Sequence, residues 1–307
     1  MQGSVIEKSL QKIYPSFFIN QTSSGTSALI AILTVLKNSS KKREVLIPSV
    51  VCPSVLFAVN FLGLKPVFVD MEIIFFNMDI NSIKKKINKN TLSIICVHCY
   101  GISANIIEIS NIAKKNKIFL IEDACLNFGG KLNKKYYGSY GDASIVSFGY
   151  DKIISESGGA LIVKNKNKHL KIRKILKNNF LLSNITINKQ SFLKKIEMLD
   201  ENIYKRNANA KYLYDNLELK NLIKPLFRKN DVYWRYPVLY RHNREKLIQE
   251  ASKKKVIITS HYPAINRFQY NSRLKNAKIF DNSVVNFFVK DTTPKKYLNS
   301  ICSLLNK

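Results

Sequence analysis

Ser144-Ile145-Val146-Ser147-Phe148-Gly149-Tyr150-Asp151-Lys152, followed by Glu156-Ser157-Gly158-Gly159-Ala160, is the stretch on which the reading of this chain turns. The apolar run from Ala143 to Phe148 predicts a buried strand. It breaks at Gly149 and delivers a lysine into a turn, and Gly158-Gly159 then opens a second strand, Ala160 to Val163. In a chain with 50 lysines and arginines, one lysine carries little weight by itself. Its setting carries more.

Working outward, Ile121-Glu122-Asp123 closes an apolar strand with an acid, and Ser23-Ser24-Gly25-Thr26-Ser27-Ala28 sets hydroxyls and a glycine at a predicted helix start. Free N–H groups at a helix N-terminus bind anions, and hydroxyls add donors. An ordinary N-cap needs only one of these residues. In open α/β sheets ligands sit beyond the carboxyl ends of the strands, so Asp123 is placed to face a crevice, and a solvated acid in a strand–loop turn suits the position equally. Ser147 and Lys152 are five residues apart, a hydroxyl at a strand end and an amine in the next turn. An amine, an acid and an anion cradle are together what a pyridoxal phosphate site requires.

The 307 residues suffice for one large domain or two of moderate size. Hydrophobic content of 46% and charged content of 23% are those of a globular chain. The net charge of +29 is exceptional and invites nucleic acid, an anionic membrane or phosphorylated small molecules as partners. Lysines scattered over solvent faces and helix ends, as at Lys84-Lys85-Lys86 and Lys114-Lys115, account for it more simply. No basic run is interleaved with aromatics as a single-strand binder needs, so nucleic acid is not expected. Without a signal core or a continuous apolar stretch of ~20 residues, the expectation is a cytoplasmic protein that does not enter a membrane. Five cysteines without framework spacing fit a reducing compartment. Cys96-Val97-His98-Cys99 invites a metal, but no second ligand pair at zinc spacing accompanies it, and no metal is expected.

Strand-like segments at 16–20, 45–47, 65–70, 92–97 and 118–121 alternate with helical spacing at 26–37, 53–62, 80–87 and 104–115. That alternation predicts an α/β domain, three-layered around a mostly parallel sheet. Beyond Val163 the pattern changes. Helical spacing is read at 168–177, an irregular polar segment at 178–189 and one long helix at about 191–217. Strands are read at 233–240 and 256–259, and helices at 245–252 and 294–305. The division expected is residues 1–200 as a large cofactor-binding domain and 201–307 as a smaller α+β C-terminal domain.

The segments Ser24-Gly25-Thr26-Ser27-Ala28-Leu29, Ile47-Pro48-Ser49, Pro66-Val67-Phe68-Val69-Asp70 and His98-Cys99-Tyr100-Gly101 occur in order. Ile121-Glu122-Asp123-Ala124, Gly138-Ser139-Tyr140-Gly141-Asp142 and Ser147-Phe148 through Lys152 to Gly158-Gly159-Ala160 follow them. This set resembles the DegT/DnrJ/EryC1/StrS sugar aminotransferases, of the fold type I pyridoxal phosphate group. The resemblance is strong from about Ser24 to Val163. It then thins to Leu199–Tyr214, Trp234-Arg235-Tyr236-Pro237-Val238 and His261-Tyr262-Pro263. It implies the type I aminotransferase large domain with a smaller C-terminal domain, Lys152 as the Schiff-base lysine, and Asp123 as partner of the pyridine nitrogen. It also implies Thr26, Ser27 and Ser147 as phosphate contacts and a homodimer with sites at its interface.

Departures from the family pattern are Leu126, where Gln or His is common, and Cys52, where an aromatic often stacks on the ring. The arm before Ser24 is short, and no Asn-x-Arg segment lies between Lys164 and Leu199. The function implied is transfer of an amino group, from glutamate by resemblance, to a nucleotide-linked keto sugar for surface glycan or secondary metabolite synthesis. The alternatives are a sugar dehydratase on the same fold, whose members put His at the position of Lys152, and a degenerate or partner-dependent non-catalytic member.

Overall fold

The computed structural model describes residues 4–268 and 274–306. Seven strands form the central sheet: β1 (Phe18–Thr22), β2 (Glu44–Pro48), β3 (Lys65–Val69), β4 (Thr91–Val97), β5 (Phe119–Asp123), β6 (Ala143–Ser147) and β7 (Gly159–Val163). Their order is β1-β7-β6-β5-β4-β2-β3. The neighbours from β6 through β3 are all parallel, and β7 alone runs antiparallel, to both β1 and β6. The sheet is therefore mostly parallel, with one reversed strand beside the turn that carries Lys152.

Side chains alternate across a strand, so each strand feeds two layers. Ile47, Val97, Ile121, Ile145 and Leu161 pack in one apolar cluster, and Leu46, Cys96, Leu120, Val146 and Ile162 in another. The first layer is built on α2 (Gly25–Asn38), α3 (Pro53–Phe61) and α6 (Lys166–Lys177). The second takes α1 (Val5–Ile13), α4 (Ile80–Lys86), α5 (Ile106–Lys115) and α8 (Lys189–Glu197). Strands buried on both faces read as continuous apolar runs, which is why they stand out in the sequence. Lysines gather in the last turns of α4, α5, α6 and α8, where the helix dipole favours them.

The remainder forms a smaller unit. Its three antiparallel strands are β8 (Leu222–Ile223), β9 (Arg235–Tyr240) and β10 (Val284–Phe288), flanked by α9 (Leu199–Asn216), α10 (Arg244–Lys253), α11 (Lys275–Ser283) and α12 (Lys295–Leu305). Several elements differ from those the sequence patterns predict. The long helix over 191–217 is two helices that break at Met198, which caps both. The segment 178–189 contains a short helix, α7 (Phe180–Ser183). The strand at 256–259 is only an isolated bridge, Thr259 to Asn286. The first strand lies at 18–22 rather than 16–20. The structure adds α1, with its Ser4–Glu7 capping box, and the α11–β10 pair, none of which the sequence patterns predict.

Candidate active site

The carboxyl ends of β4, β5 and β6 open into a cavity of about 220 Å³ between the sheet and the first turns of α2 and α3. Strand register decides which side chains face it. Val97 pairs with Asp123 and Asp123 with Ile145, so the three lie abreast, and all three line the cavity. Asp123 is buried, and its Oδ1 accepts the main-chain N–H of Cys125 at 3.0 Å. Ser147, two residues beyond Ile145, reaches the same wall.

The opposite wall is the start of α2. Ser24 caps the helix, its hydroxyl accepting from Ser27 N at 3.0 Å, and Ser24, Gly25 and Thr26 line the cavity. Two glycines let this helix end sit so low on the sheet. A Cβ on Gly25 would come within 3.0 Å of Cys125 Sγ and 3.1 Å of Ser147 Cβ. A Cβ on Gly159 would come within 2.6 Å of Val146 O and 2.8 Å of Gly25 N. Gly159 is thus demanded by backbone packed on backbone. Ser27 sits behind the wall, its hydroxyl 2.7 Å from Ser23 Oγ and 3.0 Å from Ser24 Oγ. Among the predicted site residues, Thr26, Asp123, Ser147 and Lys152 line one cavity, and Ser27 braces the turn that carries Ser24.

Lys152 enters from a turn closed by its own N–H to Gly149 O at 3.2 Å. It lines this cavity and also a second, of about 230 Å³, bounded by Asp151, Lys195, Arg206 and Lys290 among others. Arg206 is buried, and burial pushes its guanidinium down to about 10. Burial also pushes the Cys125 thiol well up, and the Asp123 charge adds to that. Cys125 is therefore a neutral packing group in this wall.

Cys52 and Leu126 both lie on the cavity wall, as small or apolar groups. The aromatic on that wall is Tyr262, which its sequence context suits equally to a structural turn. Its ring stacks on Trp234, centroids 5.9 Å apart and planes 10° apart, and its N–H donates to Tyr100 Oη at 3.2 Å. Trp234 enters the sequence reading only within a resemblance segment, yet Lys152 Nζ lies 5.9 Å from its ring centroid. The signal for both is an aromatic next to Arg235 or Pro263, too common a pattern to place them at the site. Among the described residues, no cluster of three or more His, Cys, Asp or Glu side chains is arranged to hold a metal, and no helix is long and apolar enough to cross a membrane.

Residues 6–287 match the model of the DegT/DnrJ/EryC1/StrS aminotransferase family. The chain belongs to that family. GDP-perosamine synthase of Escherichia coli O157:H7 is 28% identical over 258 residues, covering 77% of this chain and 70% of that protein. Matches to four other curated relatives cover 38–42% of their lengths. Among solved structures, the Helicobacter pylori aminotransferase PseC, described as involved in pseudoaminic acid biosynthesis, superposes with a TM-score of 0.86 at 20% identity. That match covers 99% of this chain and 91% of that one. The E. coli GDP-4-keto-6-deoxy-D-mannose-3-dehydratase with bound hydrated pyridoxal phosphate gives 0.85 at 18% identity, covering 99% and 92%. The fold of this family member is thus that of type I aminotransferases.

Proposed function

We propose that this chain is a pyridoxal phosphate-dependent aminotransferase that moves an amino group, from glutamate, to a keto sugar carried on a nucleotide. The observation that carries this is the single cavity shared by Lys152, Asp123, Ser147 and the first turn of α2. The donor set suits the cofactor: an amine for its aldehyde, a carboxylate for its ring nitrogen, and hydroxyls with helix N–H groups for its phosphate. The cradle is also steric, since a Cβ on Gly159 would run into main chain and one on Gly25 would press on Cys125 and Ser147.

Pyridoxal phosphate, when bound, supplies an electron sink for the pair left by a broken C–H bond. Lys152 Nζ would hold it covalently and, when free, would be the general base for the proton on the donor's Cα. The same amine, once protonated, would serve as the general acid, and it would play both parts again toward the keto sugar. Asp123 would hold a proton on the ring nitrogen. Ser24, Gly25, Thr26 and Ser147 would bind the phosphate, with Ser27 fixing Ser24. Tyr262 and Val97 wall the site with apolar surface, which excludes water and strengthens the charge interactions within it.

We also propose a homodimer, formed in the cytoplasm, that closes over these cavities. Tyr150, Leu181 and Phe61 are 93%, 82% and 63% exposed. Tyr150 is two residues from Lys152, the carbonyl of Leu181 accepts from Ser23 Oγ, and Phe61 extends the helix whose first turn lines the cavity. Large apolar side chains exposed around a site mark an interaction surface. Light scattering on the purified chain tests this, and a monomer at micromolar concentration contradicts it.

The test of function is glutamate-dependent amination of GDP-, UDP- and dTDP-linked keto sugars, followed as 2-oxoglutarate release. A dehydratase is the second reading, motivated by the GDP-4-keto-6-deoxy-D-mannose 3-dehydratase of Escherichia coli O55:H7, 30% identical over 162 residues. It predicts a deoxygenated product with no net nitrogen transfer, and Lys152 weighs against it.

A further inference from the structure

Among the described residues, the hydrogen bonds and ion pairs from the C-terminal part to the active-site turn converge on Asp151 rather than on Lys152. Asp151 Oδ2 lies 2.5 Å from Arg235 Nη2, and its Oδ1 is paired with Lys290 Nζ. Trp234 Nε1 donates to the Asp151 carbonyl, and Asp151 N donates to Ser155 Oγ at 3.2 Å. Arg235 is itself immobilised. It is buried, its Nη1 donates to Thr259 Oγ1 at 3.0 Å, and its guanidinium lies 3.7 Å from the Phe288 ring centroid and 4.7 Å from that of Trp234. Asp151 has φ of +63°, a left-handed conformation that Asp tolerates better than most residues.

The consequence concerns the neighbouring amine. Asp151 is the carboxylate nearest to Lys152 in the chain, yet it lines the second cavity and not the cofactor cavity. Lys152 lines both, and no ion pair engages it among the described residues. Two cations from the C-terminal part draw the Asp151 carboxylate away. We propose that Asp151 is a positioning residue, clamped by Arg235 and Lys290, which aims Lys152 into the cofactor cavity and keeps its amine from pairing locally. The proposal rests on the reading of Lys152 as the cofactor's attachment point.

The test compares Asp151→Asn, Arg235→Gln, Arg235→Lys and a double variant that combines D151N with R235Q. Lys290→Met serves as a milder variant should a buried change prevent folding. Two readouts are taken well below each melting temperature. One is the rate at which pyridoxal phosphate is fixed onto Lys152 by cyanoborohydride, read by mass spectrometry. The other is hydrogen exchange of residues 149–157 in the cofactor-free protein. D151N and R235Q each slow fixation by on the order of tenfold to a hundredfold, as misplacement of a reacting group does. They also speed exchange in the turn. R235K restores most of the rate, and the double variant is no slower than the slower single. Variants that lose only thermal stability, with fixation and turn exchange unchanged, overturn the proposal, as do single effects that multiply in the double variant. If the wild-type protein does not take the cofactor at all, the functional reading fails, while turn exchange still decides whether the clamp exists.

Discussion

Glu122 and Asp123 are neighbours in the chain and face opposite sides of the central sheet. Asp123 lines the cofactor cavity. Glu122, fully buried on the other side, accepts from His98 Nε2 at 3.1 Å, from the N–H groups of Gly138 and Tyr140 at 2.7 Å each, and from Gly141 N at 3.0 Å. Burial opposes its ionisation, but the His98 contact and these N–H donors outweigh burial and hold the carboxyl below its ordinary 4.5. One acid gathers a buried cluster of donors, and its neighbour faces the cavity proposed for the cofactor.

Exchange of the two carboxyls for amides separates these roles. Glu122→Gln leaves a buried cluster of donors facing a weaker acceptor and lowers unfolding free energy by about 3 kcal/mol. Asp123→Asn changes stability little but cuts the rate of amino transfer by at least about a hundredfold, since the ring nitrogen loses the carboxylate that keeps it protonated. Denaturant titration beside steady-state kinetics checks both.

The same geometry sets an acid limit. A carboxyl whose folded pKa is depressed stabilises the fold fully above its unfolded value, and that contribution is lost as pH falls through the folded value. For Glu122 the loss begins below about pH 4.5 and continues through its depressed folded value. Asp151, held low against burial by Lys290 and Arg235, adds to the loss below about pH 3.8. Wild-type stability should therefore fall steeply with acid across this window. Glu122→Gln, less stable at neutral pH, should show a shallower slope when melting temperature is followed from pH 7 to 3.

Gly159→Ala tests the steric cradle. The new Cβ meets the main chain at Val146 O and Gly25 N, neither of which can yield like a flexible side chain. The start of α2 must lift, costing about 1–3 kcal/mol of stability. Affinity for pyridoxal phosphate should fall with it, in fluorescence titrations of the apoprotein. Unchanged affinity would separate the cradle from the cofactor.

Tyr262 supplies the aromatic surface that Cys52 does not. Tyr262→Phe keeps the ring and its stacking on Trp234 and should leave cofactor affinity within about threefold, whereas Tyr262→Ala should weaken it at least about tenfold, an aromatic contact being worth about 0.5–1.5 kcal/mol beyond its area. Equilibrium dialysis of the cofactor against both variants checks this.

Much of this architecture is legible in the sequence because buried parallel strands are unbroken apolar runs, and because glycines and an acid or amine punctuate their carboxyl ends. Val45–Ile47, Leu92–Val97 and Ala143–Phe148 need no more than that. Other elements carry weaker marks. No glycine or proline signals the break at Met198, so the two helices read as one. Val256–Thr259 is apolar like a strand, but among the described residues it meets β10 only at the isolated bridge from Thr259 to Asn286. The contacts that the C-terminal unit makes with the Lys152 turn join residues more than eighty positions apart, Asp151 with Trp234, Arg235 and Lys290. No local spacing encodes such a meeting. It follows from how the C-terminal unit packs on the sheet, as does the arrival of Tyr262 beside Cys52.

Lys152 is proposed to carry pyridoxal phosphate and to exchange it with an amino donor. The most direct measurement is the absorbance spectrum of the protein with added cofactor, before and after glutamate, followed by borohydride and peptide mapping. A long-wavelength cofactor band that glutamate bleaches is the predicted result. Without glutamate, borohydride should leave a pyridoxyl group on Lys152 alone, and Lys152→Ala should abolish both the label and amino transfer. A cofactor fixed at another lysine, no band at all, or amino transfer that survives Lys152→Ala would contradict it.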